Sequence, residues 1–103
     1  MASTPRRLHL GAFLFNVGNH IAAWRLPETD TEGLMSLDLY RRLAQTAERG
    51  RFDFVFHSDG LGINDDHDAI VRRTVTIRPE PISLLSALAA VTERIGLAGT
   101  IST

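Results

Sequence analysis

The chain has 103 residues, 44% hydrophobic and 22% charged, with a formal net charge of -1 at pH 7. That balance excludes a polybasic surface for nucleic acid or anionic membrane, and no stretch approaches the roughly twenty apolar residues of a membrane span. The absence of cysteine excludes disulfides and thiolate chemistry and fits a reducing cytoplasm.

The opening MASTPRRLHLGAFLF places two arginines before an apolar run too short for a signal peptide, so Leu8 to Phe15 reads as a first strand. A long polar connection from Asn16 to Ser36 follows. Tyr40, Leu43, Ala44 and Ala47 then recur at i, i+3, i+4 and i+7, the stripe of a sheet-packed helix, with Ser36 or Asp38 to cap its start. Gly50 stands where a left-handed residue would end that helix. FDFVFH, Phe52 to His57, reads as a second strand, and Ser58 to Arg78 as a second long connection. Pro81 suits a first helical turn, and Leu84, Leu85, Leu88, Val91 and Ile95 give the buried face of a second helix expected to end at Gly96. IGLAGTIS, Ile95 to Ser102, is the third strand.

The pattern is βαβαβ, an α/β unit with a parallel sheet, and either a barrel or a doubly wound sheet accommodates it. Its connections are unequal. The turns from helix to strand are minimal, whereas those from strand to helix are far longer than such a turn requires. Parallel-sheet proteins place their binding sites at the carboxyl ends of the strands, so chemistry is expected just after Phe15, after His57 and near Thr100. The sheet face away from the helices, expected to include Leu10, Phe54 or their alternating neighbours, is left bare by three strands alone.

Read together, GAFLFNVGNHIAAWRLP, LYRRLAQTAERGRFDFVFHSDGL and EPISLLSALAAVTERIGLAGTIST resemble three consecutive signature blocks of the bacterial luciferase-like flavin monooxygenases. The branch they resemble is the nitrilotriacetate monooxygenase component A type, which also contains alkane, sulfone and sulfonate oxygenases. The resemblance implies a TIM (β/α)8 barrel of which residues 1–103 form an incomplete amino-terminal part. It further implies reduced FMN supplied by a separate NAD(P)H-dependent flavin reductase, molecular oxygen, a small organic substrate, and a homo-oligomer for the full-length protein. Activity of the 103 residues alone is not expected, and a truncated remnant or a flavin- or partner-binding module is the alternative.

The same resemblance assigns site residues. It places His20, Trp24 and Arg25 in the pocket wall over the flavin, with His20 as the catalytic candidate, since an imidazole there can donate a hydrogen bond or a proton. The ordinary alternative has Trp24 pinning a long loop and His20 bonded to backbone. Asp59 and Thr100 are carried over as FMN contacts: a carboxylate can accept from a flavin N–H or ribityl hydroxyl, and a threonine hydroxyl can donate to a flavin carbonyl. Without the resemblance, Asp59-Gly60 is a turn and Thr100 a good strand residue. His57 and Ser58 depart from the apolar or small residues usual in the family. Asp65, Asp66, His67 and Asp68, with His20 or His57, can be imagined as metal ligands, but adjacent residues of an extended loop point different ways, and a solvated acidic loop is the simpler reading.

Overall fold

Alternation of side chains along the strands divides the sheet into one face that helices cover and one they do not. In the computed structural model, which describes residues 3–15, 17–61 and 77–103, the strands are β1 (Gly11–Phe13), β2 (Phe54–His57) and β3 (Gly96–Gly99). They form one parallel sheet in the order β1-β2-β3, with Gly11 opposite Phe54 and Val55 opposite Leu97. The paired strands are shorter than the apolar runs that encode them.

Two helices, α1 (Leu37–Arg49) and α2 (Pro81–Ala89), join the strands and pack on each other and on β2 and β3 respectively. Leu14, Tyr40, Ala44, Ala47, Val55, Leu84, Leu88 and Ile95 form the core between sheet and helices, and Leu97 packs against it. Sequential strand order with both helices on one side is the geometry of a barrel segment; a doubly wound sheet reverses its order and has helices on both sides. The barrel alternative is therefore the one the chain adopts.

The opposite face carries Gly11, Phe13, Phe54 and Phe56. A Cβ on Gly11 would lie 2.3 Å from Cζ of Phe54, so the ring of Phe54 occupies the space that any side chain at position 11 would need. Phe13 and Phe54 stay 49% and 36% exposed. Leu10 does not share this face with Phe54, because the register opposes Gly11 to Phe54 and so sends position 10 the other way.

Three local readings need correction. Gly50 has an ordinary φ of -74, and the left-handed residue after α1 is Arg51, with φ 60. The cause is the hydrogen-bond pattern: Phe52 N–H donates to Ala47 O and Arg51 N–H to Glu48 O, a Schellman closure whose left-handed position falls one residue later. The second helix ends at Ala89, not at Gly96, which is the first residue of β3. Residues 90–95 instead form a turn held from α1, where one oxygen of Glu48 accepts the N–H groups of Glu93, Arg94 and Ile95 and Gln45 donates to Val91 O. Leu43, expected in the buried stripe, is 39% exposed, because it looks past the outer edge of β1 into a groove of about 590 Å³ shared with Phe13, Phe15, Leu39 and Phe52.

The start of α2 has a cap that its sequence pattern conceals. Glu80 is the N-cap, and its carboxylate accepts from the N–H groups of Ile82 and Ser83 while Pro81 fills the first helical position. Ser36 caps α1 by accepting from Asp38 N–H at 3.2 Å.

Candidate functional site

Beyond the carboxyl ends of β2 and β3 the chain brings Asp59 and Thr100 together, although 41 positions separate them. Asp59 N–H donates to Thr100 Oγ1 at 2.8 Å. The Asp59 carboxylate in turn accepts Gly60 N–H on Oδ1 at 2.8 Å and Ser102 N–H on Oδ2 at 2.9 Å. Thus Asp59 makes the Asp-Gly turn and also ties that turn to the segment following β3. The Ser102 N–H foremost, then those of Gly60 and the Ser102 hydroxyl, and the Arg78 charge, outweigh desolvation and hold the carboxyl below the usual carboxylate range. It is an anion at neutral pH.

This pair offers complementary groups to a ligand. With the N–H groups of Gly60 and Ser102 and the Ser102 hydroxyl upon it, the Asp59 carboxylate keeps acceptor capacity for one further donor. Thr100 Oγ1 accepts from Asp59, which leaves its O–H to donate elsewhere. An anionic acceptor and a hydroxyl donor side by side match the alternating N–H and C=O groups on the edge of a flavin ring. The residues present therefore fit the cofactor implied by the sequence, FMN, on the chemistry of this donor and acceptor set.

The wall beside them is aromatic. Phe13 stacks tilted against both Phe15 and Phe56, with centroids 5.2 Å apart in each pair. Over Phe15, at 5.2 Å from its centroid, lies the guanidinium of Arg78, which also donates from Nη1 to Ser58 Oγ at 3.1 Å. Gly60 lies beside this cation, where a Cβ would make an ordinary van der Waals contact with the Arg78 Cζ at 3.5 Å. Sequence reasoning overlooked Arg78. Its signal was position alone, as a cation at the return of a long carboxyl-end connection immediately before Pro79.

His57 lies elsewhere. It belongs to the helix side of the sheet, 1% exposed, with Nδ1 2.8 Å from Leu14 O and Nε2 3.1 Å from Pro79 O. Tyr40 meets its ring edge-on at 5.6 Å, and the Tyr40 hydroxyl, raised in pKa by burial, donates to Leu34 O. His57 is thus a strap inside the core, and the polar member of the pocket wall at this point is Ser58.

The loop after β1 keeps His20 at the surface. Its Nδ1 accepts Ala22 N–H at 3.1 Å and its carbonyl accepts Ala23 N–H, so the residue shapes a local turn. No hydrogen bond or ring contact joins it to Asp59 or Thr100 among the described residues. Trp24 follows in a short 3-10 turn (Ala23–Arg25) with the Arg25 guanidinium 5.0 Å above its ring, and its buried Nε1 has no hydrogen-bond partner. Asp65, Asp66, His67 and Asp68 lie outside the described residues. Among those described, no three His, Cys, Asp or Glu side chains are grouped to hold a metal, and no helix is long and apolar enough to cross a membrane.

No protein-family model matches the chain. Individual relatives do. An N-acetyl-S-(2-succino)cysteine monooxygenase of Bacillus subtilis (strain 168) is 45% identical over 103 residues, 100% of this chain and 22% of the relative. The crystal structure of a long-chain alkane monooxygenase superposes with a TM-score of 0.80 and 37% identity over 95% of this chain and 24% of its own. A riboflavin lyase solved with modified FMN and the substrate riboflavin superposes with a TM-score of 0.74 and 28% identity over 94% of this chain and 23% of its own. The chain spans about a quarter of the length of the proteins it matches.

Proposed function

Because the relatives of this chain are luciferase-like FMN-dependent monooxygenases of the nitrilotriacetate monooxygenase component A type, we propose that it is the amino-terminal part of such an enzyme's barrel domain. The complete enzyme takes reduced FMN from a separate NAD(P)H-dependent flavin reductase in the cytoplasm and oxygenates a small organic compound, of sulfur-, nitrogen- or alkane-type. The observation that carries the reading is the Asp59–Thr100 pair: a carboxylate and a hydroxyl fixed beside each other past the strand ends, next to an aromatic face that no helix covers.

FMN, when bound and reduced, supplies activation of oxygen and its transfer to the substrate. The residues of this chain bind and orient. Thr100 would donate a hydrogen bond from its hydroxyl to a flavin carbonyl, and Asp59 would accept one from a flavin N–H or a ribityl hydroxyl while backbone N–H groups hold its charge in place. Phe13, Phe15 and Phe56 form an apolar wall that excludes water from the reacting centre. His20 is the proton donor or hydrogen-bond donor at the open end of the pocket, a role that requires its loop to turn the imidazole inward when ligands bind.

The test is an assay of the complete enzyme with reduced FMN, a flavin reductase and labelled oxygen across sulfur- and nitrogen-containing candidates. Incorporation of one labelled oxygen atom into product is the expected result. Failure of the wild-type enzyme to bind reduced FMN in an anaerobic titration refutes the reading.

A further inference from the structure

Arg78 is a partly buried cation whose charge acts on the Asp59 carboxylate without forming an ion pair with it. Arg41 and Arg42 pair with Asp38 and Asp30, but Arg78 makes no ion pair among the described residues. Two carboxylates are near in the chain fold, and neither accepts a hydrogen bond from Arg78. The oxygens of Asp59 accept Gly60 and Ser102 N–H, and those of Glu80 accept Ile82 and Ser83 N–H at the start of α2. Of the Arg78 nitrogens, Nη1 donates to the neutral hydroxyl of Ser58, and Nε is buried with no hydrogen-bond partner. A partly buried guanidinium is costly unless an anion completes it, and with Nε buried the Nη1 and Nη2 groups are the ones an anion can meet. Its position decides what kind of anion. Stacked on Phe15 and fixed by Ser58, it presents a planar fork at the mouth of the aromatic wall, one strand away from the β3 end that carries Thr100. That is an arrangement suited to bidentate recognition of a carboxylate.

We propose that Arg78 is a substrate-binding residue that receives a carboxylate group, so that the complete enzyme acts on a carboxylate-bearing small molecule. Calling the anion part of the substrate rests on the monooxygenase reading above; the anion site itself rests on Arg78, Phe15 and Ser58. The probe is succinate, with the neutral succinamide as its control, titrated calorimetrically into the complete enzyme as wild type, Arg78→Met and Arg78→Lys. Wild type is expected to prefer succinate, Arg78→Met to bind it about 10- to 100-fold more weakly, and Arg78→Lys, which keeps the charge and loses the fork, to fall between them. Equal succinate affinity in wild type and in an Arg78→Met protein of unaltered circular dichroism overturns the proposal, as does wild type with no preference for succinate over succinamide. Where Arg78→Met does not fold, Arg78→Lys decides: wild-type succinate affinity in that variant overturns the fork. The flavin titration is a separate arm, and wild type that binds succinate through Arg78 but no FMN sinks the monooxygenase reading alone.

Discussion

Replacing Thr100 by valine keeps the shape of the side chain and deletes two hydrogen-bonding functions at once. One is internal: Oγ1 accepts Asp59 N–H at 2.8 Å. The other is the O–H, which the internal bond leaves directed away from Asp59 and which the proposed function aims at a flavin carbonyl. A neutral hydrogen bond is worth about 0.5–1.5 kcal/mol net, so loss of the flavin bond alone weakens reduced-FMN binding about 2- to 12-fold. The internal bond lies at the surface, where water replaces it, and its loss adds little to that figure. Thr100→Ser retains the hydroxyl and is expected to bind flavin within about twofold of wild type, a smaller loss than one hydrogen bond produces. Asp59→Asn provides the companion test. Both Asp59 oxygens face backbone N–H groups, so the amide NH2 of asparagine must confront a donor on one side. Asparagine is therefore expected to be no better than alanine there, contrary to its usual standing as the mild replacement. Anaerobic fluorescence titration with reduced FMN reads all four variants. Equal affinities for wild type and Thr100→Val, or an Asp59→Asn enzyme that binds as wild type does, refute the reasoning.

Glu48 and Asp59 are both held below the usual carboxylate range, Glu48 by the N–H groups of Arg94, Ile95 and Glu93. Each thus adds stability above its unfolded pKa, ordinarily 4.5 for Glu and 3.8 for Asp, and that stability is lost as pH falls through the lower folded values. Thermal melts of wild type and Glu48→Gln should differ most near neutrality and converge below about pH 4, and parallel curves throughout would contradict the assignment. Arg51 spends a non-glycine residue on φ 60, so Arg51→Gly is expected to raise stability by up to about 1 kcal/mol in urea denaturation. Residues 1–103 expressed alone should self-associate, because Phe13 and Phe54 stand exposed on the bare face and the outer edges of β1 and β3 have no strand partner among the described residues. A monomeric mass with a sharp melting transition independent of concentration would disprove that.

What the sequence made legible was whatever periodicity encodes. Tyr40, Ala44 and Ala47 at helical spacing, and Leu84 and Leu88 in the second stripe, are buried as their spacing requires. Boundaries were less legible, because they are decided by partners far along the chain. Nothing local to Thr92 or Arg94 says that the second helix must stop at Ala89; the carboxylate of Glu48, 45 residues upstream of Glu93, organises that turn. Likewise Gly50 looked like the left-handed residue because glycine tolerates that conformation most cheaply, yet the closing bonds from Arg51 and Phe52 place it on an arginine. Asp59 and Thr100 were reached by resemblance, and their mutual hydrogen bond was invisible to any local pattern.

The position of Arg78 shows how a core residue without a catalytic part can set a pocket. His57 sits on the helix side of β2, where an apolar residue would bury as well, and its two ring nitrogens reach the carbonyls of Leu14 at the end of β1 and Pro79 at the end of the second long connection. Pro79 is flanked by Arg78, which faces the aromatic wall, and by Glu80, which caps α2. Fixing the Pro79 carbonyl therefore fixes where the chain crosses from the open face to the helix layer. Arg78 must leave on one side of that point and α2 must begin on the other. The far end of the second long connection is thus clamped at Pro79 by the contact with His57. The polar residue that departs from the apolar pattern of β2 is in this way the support of the proposed binding surface and not a member of it.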